Sequence, residues 1–106
     1  MSSTAIEYEK LKATLKTSQE VTAGQMFGKS CLKVNGKAFV SLHNDRLVFK
    51  LTGEHHKKAL SLDNAALWDP SGTGRPMKEW VALPVEEAQH FTELAAEALA
   101  YVKRSR

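Results

Sequence analysis

A chain of 106 residues and 11.7 kDa has room for one hydrophobic core, because two would each be too small to bury enough surface; a single domain over residues 1–106 is expected. Hydrophobic residues at 42% and charged residues at 25% exclude disorder, collagen-like repeats and low-complexity chains. The formal charge of +3 is unevenly distributed, with seven bases against two acids in residues 29–58 and two bases against seven acids in residues 59–102, so a local basic patch can form although the overall balance says little about nucleic acid.

Residues 4–18 read as an opening helix, since Tyr8, Leu11 and Leu15 recur at helical spacing among charged residues. Thr4 is placed to cap it, with Glu7 completing a capping box. Further on, Asn35-Gly36 sits between strand-like runs 31–34 and 37–43, a strong hairpin signal because a two-residue type I′ turn needs positive φ at both central positions. A second two-residue turn, Asn44-Asp45, leads to Arg46–Leu51, which gives a three-stranded meander over 31–51. Thr52-Gly53 breaks the sheet, and residues 54–60 make a short exposed helix. Residues 61–76, rich in Gly, Pro, Ser and Asp, read as turns and an ordered loop. Met77–Leu83 alternates as a final strand, with Met77, Glu79, Val81 and Leu83 on one face and Lys78, Trp80 and Ala82 on the other. Pro84 suits the first position of a closing helix, whose apolar stripe is Ala88, Phe91, Ala95, Ala98 and Val102. The fold class is therefore α+β: an antiparallel sheet, meander 31–51 plus a strand near 77–83, packed against N- and C-terminal helices.

Two uninterrupted turns fix a register in which Leu32 faces Phe39, Cys31 faces Val40, Leu42 faces Leu47, Val40 faces Phe49 and Ala38 faces Leu51. One face then carries Ala38, Val40, Leu42, Leu47, Phe49 and Leu51, the side the helices should cover. The other mixes Leu32, Val34, Phe39, Ser41 and Val48 with Lys37, His43, Arg46 and Lys50. The candidate interaction surface is accordingly Leu32, Val34, Lys37, Phe39, His43, Arg46, Val48 and Lys50, an apolar and basic face for a protein partner or a second copy of the chain. Cover by the protein's own loops is the plainer alternative.

Catalytic and metal chemistry find little support. His55 and His56 are adjacent, about 100° apart on a helix, and share no ligand spacing with His43 or His90. The loop Ser71-Gly72-Thr73-Gly74-Arg75 runs into Pro76 and a strand, where a phosphate loop needs a helix N-terminus. Cys31 is single, and a nucleophilic role would need a nearby base. No catalytic, metal or cofactor residue is expected, and the weaker alternative is a small-ligand protein or enzyme at loop 69–76. No apolar run is long enough for a membrane span, and Met1-Ser2-Ser3-Thr4 does not open like a signal peptide, so a cytoplasmic protein without membrane contact is expected.

Met26-Phe27-Gly28, then Leu32-x-Val34-x-Gly36-Lys37-x-Phe39, Asp45-x-Leu47-x-x-Lys50, Gly74-Arg75-Pro76, Trp80 and Pro84, in this order, resemble the TfoX N-terminal domain family over about residues 20–102; YjbR-like proteins share the general architecture. Lys29 and Glu79-Trp80 depart from the family's pattern. The resemblance implies an α+β fold, a small cytoplasmic bacterial protein and a regulatory role linked to competence or transcription, with no catalytic residues. The expected function is a non-enzymatic regulatory or interaction module, and the alternative is a nucleic-acid binder using the basic segment 29–58.

Overall fold

The computed structural model describes residues 3–15, 21–26, 29–43, 46–69, 74 and 77–104. Helix α1 (Ser3–Leu15) leads to strands β1 (Val21–Met26), β2 (Lys29–Val34), β3 (Lys37–His43) and β4 (Arg46–Lys50). Helix α2 (Gly53–Leu60), strand β5 (Ala66–Trp68), strand β6 (Met77–Pro84), a 3-10 segment (Val85–His90) and helix α3 (Phe91–Arg104) complete the order. The strands form one six-stranded antiparallel sheet ordered β1-β2-β3-β4-β6-β5. The α+β class and the sheet flanked by terminal helices are as the sequence predicts.

Local chemistry explains the turns. Asn35 and Gly36 have φ of 52° and 80°, the left-handed pair a type I′ turn requires. Gly53, at φ 60°, turns the chain out of the sheet into α2, whose end is closed by the Ser61 hydroxyl donating to the Lys58 carbonyl at 2.6 Å. The Asn44-Asp45 turn lies outside the described residues, although the pairing of His43 with Arg46 on either side of it is as expected.

The register departs from expectation at one place. Val34 pairs with Lys37 and Lys33 with Ala38, but Leu32 then faces Val40, and Cys31 faces Ser41 in place of Val40. Phe39 is the extra residue of a β-bulge, opposite Leu32 together with Val40. The physical reason is that Phe39 and Val40 are consecutive large apolar residues, and strict alternation would leave one of them outside the core. The bulge buries both completely, at about 1.5–3 kcal/mol for a side chain of this kind. Three corrections follow. Leu32, Val34 and Phe39 belong to the helix-covered face; Ala38 belongs to the other; and the β3–β4 ladder ends at Val40 and Phe49, so Ala38 does not pair with Leu51.

The main core lies between this face and the helices. Tyr8 and Leu11 of α1 and Phe91, Leu94, Ala95, Ala98 and Val102 of α3 meet Leu32, Val34, Phe39, Val40, Leu47, Phe49, Val81 and Leu83. The Phe49 and Phe91 rings sit 5.5 Å apart at 48°. Thr4 is buried inside the first turn of α1, so it is not the residue that precedes and caps the helix, and Glu7 pairs with Lys10. Pro84 closes β6 opposite Arg46 and, with ψ 165°, stands just before the 3-10 segment; the α-helix proper begins only at Phe91. Strands β1 and β5 are additional to the predicted sheet.

Candidate binding face

The face of the sheet turned away from the main core carries its own small cluster, Val48, Trp68, Trp80 and Ala82, with Ala38 packed against it. Cross-strand pairing puts these residues there: Val48 opposes Ala82, Ala82 opposes Ala66, and Lys50 opposes Trp80. The indoles of Trp68 and Trp80 meet at 5.2 Å and 60°, and only 3% and 4% of their surfaces remain exposed. The Trp68 Nε1–H donates to His43 Nδ1 at 2.8 Å, with the two rings edge to face at 5.8 Å. An indole nitrogen only donates, so the accepting Nδ1 is unprotonated while this bond stands.

Bases surround the cluster. Lys33 lies along β1, where a Cβ at Gly24 would stand 3.2 Å from its Cε and 3.5 Å from its Nζ. Arg46 reaches the Asn64 carbonyl at 2.7 Å. Lys50 stands beside Trp80, and alternation from Trp80 puts exposed Lys78 on the same side. Among the described residues none of these four makes an ion pair. The ion pairs lie elsewhere, Glu7–Lys10, Glu9–Lys12 and Glu93–Lys58, with His55 beside Glu97 and His90 beside Glu87, while Glu79 accepts from the Tyr101 hydroxyl. Among the described residues, the ion pairs thus lie away from the tryptophan cluster, and the four bases around it take part in none.

Of the eight residues proposed from the sequence, four are on this face: His43, Arg46, Val48 and Lys50. Val48 is wholly buried beneath the tryptophan cluster. Leu32, Val34 and Phe39 are wholly buried in the main core and offer no surface to a partner, and Lys37 stands opposite Val34 at the exposed end of the hairpin. Trp68 and Trp80 were the missed members. Trp80 could have been found from its alternation with Ala82; Trp68 sits in a stretch whose turn-forming composition hides a three-residue strand.

The nucleophile and metal readings gain nothing from the geometry. Cys31 is fully buried and its thiol pKa is raised by that burial, with Lys33 opposing the rise. His55 holds Glu97 at 2.9 Å, His56 Nε2 lies 2.7 Å from the Lys78 carbonyl, and His90 lies 3.7 Å from Glu87. Among the described residues no three His, Cys, Asp or Glu side chains gather as metal ligands. In loop 69–76 only Asp69 and Gly74 are described, joined by the Gly74 N–H donating to the Asp69 carboxylate at 2.8 Å. No helix among the described residues is long and apolar enough to cross a membrane.

These features define a small α+β domain with one helix-covered sheet face and one open, basic face over a tryptophan pair. The profile of the TfoX N-terminal domain family matches residues 13–102, most of the chain, and the protein belongs to that family. No significant match to a curated protein or a solved structure accompanies it.

Proposed function

We propose that the domain is a non-enzymatic regulatory interaction module that takes an acidic protein surface on its open sheet face. The observation that carries this is the set of bases around the tryptophan cluster: among the described residues Lys33, Arg46, Lys50 and Lys78 make no ion pair, whereas Glu7, Glu9 and Glu93 of the helices are each paired with a lysine. Complementary charge of this kind selects partners and speeds encounter. Membership of the family supports a role in regulating competence or transcription.

Nucleic acid is the second reading, favoured by the same bases, but two features weigh against it. Four bases displace few counterions, a log–log salt slope of about −3.6 at most on duplex DNA. The indoles are covered, so they give no stacking platform for bases. Affinity capture from native lysate, with mass spectrometry and sequencing of co-purified nucleic acid, tests both readings. The expected result is a protein that elutes with salt and is lost from a Lys33→Ala/Lys50→Ala variant. Nucleic acid retained in its place, or a partner indifferent to the variant, overturns the proposal.

A further inference from the structure

We infer that β1 is a self-pairing edge, through which two copies of the chain join their sheets antiparallel about a two-fold axis. Strands β1 and β5 are the two edges of the sheet. Natural edges are kept from pairing by shortness, charge, proline or a bulge. Strand β5 is only three residues long. Strand β1, Val-Thr-Ala-Gly-Gln-Met, has six residues, no charge and no proline, and it pairs with β2 without a register shift.

The direction of its backbone groups follows from the neighbouring hairpin. A two-residue turn at Asn35-Gly36 makes Val34 and Lys37 a hydrogen-bonded pair, so Val34 and Leu32 bond to β3 while Lys33 and Cys31 bond to β1. The Ser30 carbonyl agrees with this alternation, since it accepts from the Ser41 hydroxyl of β3 at 3.1 Å. Thr22 and Gly24, the partners of Lys33 and Cys31, are therefore turned inward, and Val21, Ala23 and Gln25 turn their N–H and C=O groups outward. Among the described residues, these outward groups have no partner.

Three outward residues at alternating positions are self-complementary. With Ala23 on the axis, Ala23 faces the second copy's Ala23 and Val21 faces its Gln25, giving about six main-chain hydrogen bonds. Thr22, Ala23 and Gln25 are exposed, and no charge on β1 opposes its own copy. An axis normal to the sheet puts both open faces on the same side, so the two basic faces become one, with Lys33 of each copy near the seam.

This pairing differs in a measurable way from charge-driven association of the basic segment with the acidic helical side. Sedimentation of the wild type across a concentration series should show a species of twice the chain mass that persists or tightens when salt rises from about 0.05 to 0.5 M. Ala23→Lys places like charges against each other on the axis and should weaken association at least tenfold, as should Ala23→Glu. Mixing the two variants one to one should restore the dimer. Circular dichroism checks that each is folded, and Ala23→Pro, which removes an outward N–H while leaving the N–H groups that β1 turns to β2, gives a third route to the monomer. A wild type that stays monomeric at every concentration, a dimer that dissolves with salt, or charge variants that neither weaken association nor rescue each other would overturn the inference. Failure of the acidic-partner reading would leave each of these outcomes unchanged.

Discussion

Phe49 is fully buried, pairs with Val40 and Val81 on its two sides, and packs against Phe91 of α3. Phe49→Ala should cost about 3–5 kcal/mol, through lost burial and the cavity left behind, enough to unfold much of a domain this small; chemical denaturation measures it. Tyr8 gives a pH effect instead. Burial, aided by the neighbouring charges of Cys31 and Glu9, raises its pKa from 10.0 to about 12. The folded state therefore favours the neutral phenol, and this contribution is whole below pH 10 and is lost as pH climbs towards 12. Between pH 9 and 11 the denaturation midpoint of the wild type should fall further than that of Tyr8→Phe, which has no proton to lose. Equal falls would show that Tyr8 ionises without penalty.

The turn at Asn35-Gly36 is an element whose sequence and backbone agree. A Cβ at Gly36 meets nothing within 4 Å, so Gly36→Ala tests only the φ of +80° and should cost about 1–2 kcal/mol by thermal or chemical denaturation. Strands β2, β3 and β4 were legible from the turns that bound them and β6 from its alternating faces; helices α1 and α3 were legible because their apolar residues recur at helical spacing, and α2 as a short polar segment after Thr52-Gly53. Strand β1 was not, since Val21 is its only buried residue among those described and Gly24 interrupts it; it takes its conformation from β2. Strand β5 was too short to show a period. The bulge at Phe39 escaped a reading based on alternation because it is alternation that fails there: the choice between two registers was decided by burying Phe39 beside Val40, a tertiary gain no local pattern records. That one extra residue moved Leu32, Val34 and Phe39 from the expected docking surface into the core, while His43, Arg46 and Lys50, beyond the bulge, kept their predicted side.

Across the whole molecule, the main core and the proposed recognition surface fall on opposite faces of one sheet. The large core joins the sheet to α1 and α3, and exposed ion pairs such as Lys58–Glu93 at 3.1 Å decorate that side at a contribution of about 0–1 kcal/mol each. The open face carries a smaller cluster in which the Trp68 indole is tied to His43; among the described residues its bases make no ion pair, and Arg46 bonds the Asn64 carbonyl. Removing those bases should therefore separate binding from folding. Lys33→Ala/Lys50→Ala should change unfolding free energy by no more than about 0.5 kcal/mol per site, the usual range for surface positions away from special features. The same double variant should lose salt-sensitive binding to the acidic partner, because charge at these positions governs encounter. Denaturant titration beside a binding isotherm decides it. A variant that binds normally would remove the open face from recognition, and one that unfolds with a loss of several kcal/mol would show that the lysine stems hold the tryptophan cluster together.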